Sequence, residues 1–137
     1  MGLRTAYLTM HRRANAEFAR FGLTADQFVI LTALAEGDGV TQKELVRRTA
    51  SDANTMSEML GRLERRGLVT RERDADDGRA RRVSLSESGR EVQGRAWDGI
   101  AGFCEKLVGL VPSNESGKLV GHLERIARGM ADAGEDS

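Results

Sequence analysis

The spacing of apolar residues leaves the helical period in one place, near the middle of the chain, and this change restricts the fold more than any other feature. Residues 53–66 have the spacing of one helix face, which ends at Gly67; the apolar positions are Met56, Met59, Leu60 and Leu63. Two segments with partial alternation, 68–73 and 81–85, follow at once, and the residues between them favour a turn. The pattern predicts a helix that leads directly into a β-hairpin.

Two short helices are predicted immediately before this unit. Thr24-Ala-Asp-Gln27 and Thr41-Gln-Lys-Glu44 are capping-box sequences, and each opens an apolar helical pattern. Ser51 and Asp52 are candidate caps for the helix at 53–66, so only a very short turn precedes it. Two capped helices with a tight connection outline a helix-turn-helix, although the same outline fits any αα-hairpin. With the hairpin that follows, they predict a winged helix.

Helical stripes continue on both sides of this core. One occupies the first 21 residues, and another is capped by Ser86 and continues as one long helix to Leu110. Four glycines weaken the helical propensity of that second stripe. Pro112 ends it, and Ser113 is a candidate cap for a last helix.

These patterns predict a mainly α protomer over residues 1–137 with a winged-helix core at 24–89. The stripes at 1–21 and 90–133 suit packing against other helices, and we expect them to form the interface of a homodimer. Residues 134–137 are expected to be a disordered tail. The candidate interface residues are Leu3, Met10, Leu119, Leu123, Ile126 and Met130. The alternative is that these helices close a monomeric bundle.

The composition argues against several classes of protein. One Cys and two His cannot form an internal disulfide or a closed zinc site, and no metal or cofactor is expected. The apolar runs are too short to span a membrane and the N-terminal stretch has no apolar signal region, which favours a cytoplasmic protein. We find no nucleophile elbow, phosphate-cradling loop or metal-spaced His and Glu, so an enzyme is not expected.

The charges are unevenly distributed along a chain whose formal net charge is +0. Residues 41–90 contain twelve basic and nine acidic side chains, whereas residues 91–137 contain five and eight. Most of the basic residues in the middle are arginines, which suit phosphate and guanine recognition. An arginine-rich stretch by itself is more often a solvated surface.

Specific motifs resemble the multiple antibiotic resistance regulator (MarR) family of bacterial transcription factors. The resemblance begins at Leu23-Thr24 and Phe28-Val-Ile-Leu31 and includes Arg71, and with no evident gap it covers about half of the chain. Its other parts are Thr41-Gln-Lys-Glu-Leu45, Met59-Leu-Gly-Arg-Leu-Glu-Arg-Arg-Gly-Leu-Val69, Asp76-Asp-Gly-Arg-Ala80 and Val83-Ser-Leu-Ser-Glu-Ser-Gly89. No single motif is specific, but the set is.

The resemblance implies a winged helix-turn-helix DNA-binding domain between N- and C-terminal dimerisation helices. It further implies a homodimeric repressor or activator, acting on neighbouring genes, that binds a pseudo-palindromic operator in double-stranded DNA. Such a regulator loses or changes its affinity when a small molecule or an oxidant acts on it.

The resemblance also implies which residues contact DNA. The helix at 53–66 looks like the recognition helix, and Arg79 is similar to the wing arginine that enters the minor groove. Asp77 would support the wing by holding neighbouring arginines, with Arg81 or Arg82 as its partner. The candidate DNA-binding residues are Thr41, Gln42, Asn54, Thr55, Ser57, Glu58, Arg62, Arg65, Arg79, Arg81 and Arg82.

Each assignment has a simpler structural alternative. Asn54, Thr55 and Ser57 are also ordinary cap and first-turn residues. Glu58 is the weakest candidate because a carboxylate is repelled by phosphates, and Arg79 could be only a turn residue. A winged helix that contacts protein instead of DNA is a further alternative, against which the basic middle of the chain argues.

The effector of such a regulator is either a small molecule or an oxidant. We expect a small organic ligand where the first and fifth helices meet the core, with Tyr7, His11, Phe18 and Trp97 as candidate walls. The alternative is a redox response at Cys104. We expect that cysteine on a packed helix, and the chain contains no second thiol to resolve an oxidised one.

Overall fold

The computed structural model describes residues 2–76 and 78–135, with side chains through Met130. The chain divides into two units, Met1–Ile100 and Ala101–Ser137. In the first, α1 (Gly2–Phe18) and a 3₁₀ turn (Ala19–Phe21) precede α2 (Ala25–Glu36), β1 (Val40–Thr41), α3 (Gln42–Thr49), α4 (Ala53–Arg65), β2 (Val69–Arg73), β3 (Arg81–Leu85) and α5 (Glu87–Gly99). The second contains α6 (Ala101–Gly109) and α7 (Ser116–Glu135).

The predicted winged helix is confirmed: α3 and α4 form the helix-turn-helix, and β2 and β3 form the hairpin. Both bonds of the first capping box are present, since Gln27 N–H donates to Thr24 Oγ1 and Thr24 N–H donates to Gln27 Oε1, each at 3.1 Å. Of the two candidate caps for α4, the structure uses Asp52. Local hydrogen bonds therefore define where these helices start, as the motifs predict.

A third strand, β1, completes a small antiparallel sheet in the order β1-β3-β2. Val40 pairs with Val83, while β2 pairs along its whole length with β3, from Val69 opposite Leu85 to Arg73 opposite Arg81. Strand β1 is not predictable from the sequence, because two residues are too few to show an alternating pattern.

The core of the first unit lies where the helices meet the base of the hairpin. Leu31 and Leu34 of α2, Leu60 and Leu63 of α4 and Val83 of β3 are each 0% exposed. The apolar positions predicted for α4 are buried, except that Met59 is only partly buried. The winged helix therefore has a continuous apolar core.

The single long helix expected after Ser86 is wrong, because α5 ends at Gly99 and α6 begins at Ala101. A Cβ at Gly99 would overlap the ring of Phe21, so a glycine is required for this close approach. Ile100 is 8% exposed and belongs to the same core. Packing within the first unit thus fixes the end of α5.

The first unit includes more of the chain than the winged-helix core at 24–89, which stays a prediction. It extends to Ile100, because the helix after the hairpin buries Ala96 and Ile100 in the core. In the second unit, the last helix begins at Ser116 rather than directly after Ser113, and it continues through Glu135. The expected tail therefore overlaps the helix at 134 and 135, and its remaining residues, 136–137, lie outside the described residues.

Within the described residues, no single helix is both long and apolar enough to cross a membrane. The segments Gly2–Phe21 and Ala25–Glu36 meet the length and composition criteria only as a pair, and that pair is bent by 68°.

Candidate nucleic-acid interface

The N-terminus of α4 is held by its cap, Asp52. Its carboxylate accepts hydrogen bonds from the backbone N–H and from the hydroxyl of Thr55, both at 2.8 Å. These two bonds stabilise the charged carboxylate and lower the pKa of Asp52 below its usual value. The Thr55 hydroxyl thus has a capping role, and a DNA contact by this residue stays a prediction.

The solvent face of α4 lies opposite its buried face. Met56, Leu60 and Leu63 point into the core with 0% exposure. The predicted contact residues of this helix are all exposed: Asn54, Thr55, Ser57, Glu58, Arg62 and Arg65. The helix therefore presents small polar groups near its N-terminus and arginines further along, an order that suits base edges and then phosphates.

Thr41 and Gln42 lie at the start of α3. Thr41 caps this helix by accepting a hydrogen bond from Glu44 N–H at 3.2 Å. The Glu44 carboxylate does not return to Thr41 N–H as a full capping box requires, because Arg47 and Arg48 hold it. Hydrogen bonds from these two arginines lower the pKa of Glu44 to about 2.

The hairpin, here called the wing, carries three of the predicted arginines. Arg79, Arg81 and Arg82 are all exposed. Arg82 is also tied to the protein, since its Nε donates to Asp74 Oδ2 at 3.0 Å and its Nη1 donates to the carbonyl of Gly39 at 2.5 Å. Asp77, the predicted support of the wing, lies outside the described residues.

A concave surface of about 600 Å³ connects the start of α3, the solvent face of α4 and the wing. It is lined by Thr41, Gln42, Lys43, Ser57, Arg71, Arg79, Ala80 and Arg81. The lining therefore brings together five predicted contact residues from three different elements. Its charged side chains are all cationic, which suits a polyanion such as a nucleic-acid backbone.

Two residues of this surface were missed as candidates from the sequence. Lys43 is exposed on the first turn of α3, and Arg71 lies at the base of the wing. Arg71 belongs to a run of alternating charges that resembles a solvated strand. The two-residue period of a β-strand could have identified Arg71. Counted from Val69, this period places Arg71 on the same strand face as that buried residue.

The four candidate ligand walls make ring contacts in two groups. The ring of Tyr7 stacks on His11 with centroids 5.4 Å apart. Phe18 is a core residue, 6% exposed, that stacks on Phe28 at 4.4 Å. Trp97 is 58% exposed and faces Phe28 at 6.3 Å. Among the described residues, Phe18 and Trp97 thus share Phe28 as a ring partner, and Phe18 is part of the core.

Cys104 lies in α6 and is exposed, which corrects the expectation that it is packed. It lines a shallow apolar cavity of about 590 Å³ within the second unit, together with Val108, Val111 and Pro112. Among the described residues, no group of three or more His, Cys, Asp or Glu could hold a metal ion.

The six candidate interface residues are large apolar side chains that the single chain leaves exposed. Their exposed fractions are 67% for Leu3, 42% for Met10, 41% for Leu119, 45% for Leu123, 53% for Ile126 and 69% for Met130. In the second unit, every described side chain is exposed or half-buried. So much exposed apolar surface is unusual for a monomer.

Comparison with known proteins agrees with this geometry. A family model described as "MarR family" matches residues 21–80. Over 70 residues the chain is 43% identical to the transcriptional regulator HosA of Escherichia coli O127:H6; the match covers 51% of this chain and 52% of HosA. The chain thus spans about half the length of the curated relatives it matches.

Solved structures extend the similarity beyond that stretch. The transcriptional repressor CouR, solved bound to a 23-mer DNA duplex, is 28% identical with a TM-score of 0.86; the match covers 92% of this chain and 89% of CouR. The PcaV transcriptional regulator of Streptomyces coelicolor, solved with its natural ligand, is 27% identical with a TM-score of 0.79, covering 92% and 86%. The winged helix, the motifs along it and these similarities together show that the chain belongs to the MarR family of transcriptional regulators.

Proposed function

We propose that this protein is a sequence-specific DNA-binding transcriptional regulator that acts as a homodimer and without catalytic activity of its own. The observation that carries the proposal is the cationic concave surface shared by α3, α4 and the wing. A recognition helix in the major groove and an arginine in the adjacent minor groove would use that surface together. Its place of action is the cytoplasm, where the DNA of a bacterium is accessible.

The roles of the contact residues differ in what they read. Asn54 is exposed on the first turn of α4 and its amide can pair with a base edge, so it contributes to discrimination between sequences. Arg79 lies on the wing and contributes mainly charge against the minor-groove wall and the phosphates. The remaining candidates, such as Arg62 and Arg65, fix the protein on the backbone.

A binding experiment separates these roles. Duplexes are first selected from a randomised library with the wild-type protein, and the isotherms of the selected duplex and a scrambled one are then measured at two salt concentrations. Asn54→Ala should reduce the ratio of the two affinities. Arg79→Ala should weaken both duplexes alike and reduce the salt slope by about one unit. If the wild type binds no duplex preferentially, the proposal fails and a protein-binding winged helix becomes the better hypothesis.

A symmetric protein implies a symmetric operator. If α1 and the last helices join two copies through their exposed apolar residues, the two recognition helices lie about one DNA turn apart, roughly 34 Å, or a multiple of it. The selected duplex should therefore be an inverted repeat. We also propose that the genes under control are neighbours of this one.

We propose further that an effector releases or alters DNA binding, and that it is a small organic ligand. PcaV, solved with its natural ligand, supports this choice. An effector shifts the equilibrium only by its differential affinity, so it must prefer a state in which the recognition helices do not fit the groove. The Tyr7 and His11 pair and the exposed ring of Trp97 are the candidate contacts.

A redox response is the second candidate, because Cys104 is exposed. One relative, 33% identical over 79 residues, is the organic hydroperoxide resistance transcriptional regulator of Bacillus subtilis. Titration of the protein–operator complex with peroxide and then with small aromatic acids distinguishes the two. Release by peroxide from the wild type but not from Cys104→Ser would make the thiol the switch and contradict the ligand proposal.

A further inference from the structure

Arg71 lies where the wing leaves the core. Along β2, Val69, Arg71 and Arg73 occupy one face; Val69 is buried and Arg73 is exposed. The side chain of Arg71 is 16% exposed. It is the last partly buried side chain of the strand before the turn.

The guanidinium of Arg71 joins three elements. Nη1 donates to Gln42 Oε1 at 3.3 Å, and Nη2 donates to Glu64 Oε1 at 3.1 Å. Gln42 is the first residue of α3, and Glu64 lies in the last turn of α4. A planar, forked guanidinium can hold two acceptors in a fixed geometry, which a lysine ammonium cannot do.

In the described sheet, β3 is the one strand that pairs with β2. The sheet order is β1-β3-β2, so β2 is an edge strand that pairs only with β3. Arg82 ties the opposite side of the wing to the carbonyl of Gly39, but that contact does not reach either helix of the helix-turn-helix. Among the described residues, the hydrogen bonds of Arg71 link the wing to both α3 and α4.

Arg71 lines the same concave surface as Arg79 and Arg81, but unlike them it is largely buried. Its Nε is buried and has no hydrogen-bond partner among the described residues. Arg79 and Arg81, by contrast, are exposed. A side chain that only neutralised phosphate would not need this burial. It would also not need a neutral partner, Gln42, and an acidic partner, Glu64, on separate helices.

We infer that Arg71 is a positioning residue: through Glu64 and Gln42 it sets the distance between the wing and the recognition helix. The consequence for DNA binding rests on the proposed function. The recognition helix and the wing reinforce each other only when the distance between them matches the spacing of the major and minor grooves. The spacing itself is a property of the free protein and can be measured without DNA.

The DNA test uses Glu64, because its loss should change two measured quantities in opposite directions. These are the affinity for a scrambled duplex and the ratio of selected to scrambled affinity. Glu64→Ala removes a negative charge beside the DNA, so affinity for a scrambled duplex should rise. If Glu64 holds Arg71 in place, the ratio of selected to scrambled affinity should nevertheless fall, by roughly fivefold. The control is Glu72→Ala, which removes the same charge from an exposed position next to Arg71 and should leave the ratio unchanged.

Three further variants test Arg71 directly. Arg71→Met should lower the ratio, whereas Arg73→Met, on the same strand face and with the same loss of charge, should weaken both duplexes without changing it. Arg71→Lys keeps the charge but not the fork, so it should retain affinity for the scrambled duplex and fail to restore the ratio.

The distance test needs no DNA. Spin labels at Ala53→Cys and Ala75→Cys, both exposed, are placed in a Cys104→Ser chain, which is diluted with unlabelled protein so that only distances within one chain are measured. Arg71→Met and Glu64→Ala should broaden the distance distribution between α4 and the wing, and Arg73→Met and Glu72→Ala should not.

The outcomes separate this inference from the proposed function. If the wild type binds the selected duplex preferentially and Glu64→Ala behaves like Glu72→Ala, with an unchanged label distance, the positioning role is overturned and the function stands. If the wild type has no preference but the distances broaden as expected, Arg71 still positions the wing and only the function fails. An unchanged distance in both variants overturns the inference whatever the DNA result.

Discussion

At the scale of single residues, close contacts of the backbone constrain the sequence most strictly. Gly89 lies in the first turn of α5, and a Cβ there would overlap the backbone carbonyl of Leu68, which precedes β2. That carbonyl also accepts a hydrogen bond from Ser86 N–H at 3.0 Å. The start of α5 is thus fixed against the base of the wing by contacts that leave no room for a side chain.

Gly89→Ala should therefore destabilise the fold, by about 1–3 kcal/mol, because backbone atoms would have to shift. Gly94→Ala in the same helix is the matched control: nothing lies within 4 Å of its added Cβ, and alanine should stabilise the helix by about 0.5–1 kcal/mol. Urea unfolding followed by circular dichroism measures both changes. Equal effects of the two substitutions would contradict the close approach at Leu68.

At the scale of elements, local capping explains why the helices begin where the sequence predicts. The caps of α2, α3, α4 and α5 are Thr24, Thr41, Asp52 and Ser86. Each accepts from the backbone N–H three residues ahead, so the signal and its effect lie within one turn. The same reason makes the hairpin predictable, because its turn residues are contiguous in the sequence.

Elements whose limits depend on distant contacts were not predictable in this way. The end of α5 depends on the ring of Phe21, which meets Gly99 from the other end of the first unit. Strand β1 exists because Val40 pairs with Val83, and Gly39 N–H and Leu85 N–H are satisfied by Ser84 Oγ and Asp38 Oδ1 at 3.0 and 3.1 Å. These partners are 45 and 47 residues apart in the sequence.

At the scale of the whole molecule, the exposed apolar side chains of the terminal helices need a partner surface. Leu123 and Ile126 are 45% and 53% exposed in the single chain. An aspartate at either position would cost little in a monomer, where water reaches it, but would bury an unpaired charge in a dimer interface. The effect of such a change thus depends on the oligomeric state.

Leu123→Asp and Ile126→Asp should accordingly remain folded and sediment as monomers, while the wild type sediments as a dimer. Arg125→Asp, at an exposed position between them on α7, is the control and should leave the dimer intact. Binding to the selected duplex should weaken in the two apolar variants, since one copy covers only half of an inverted repeat. An unchanged dimer in both would place the interface elsewhere.

The amino-acid sequence alone determined the order of the elements in the winged helix and the exposed polar face of α4, because those features depend on side chains within a few positions of one another. The tertiary structure decided which residues meet across the chain. Gln42 and Arg71 are 29 positions apart, and only the pairing of β2 with β3 turns Arg71 toward the helices. Periodicity gives the face on which a residue lies, whereas its partners depend on how separate elements pack.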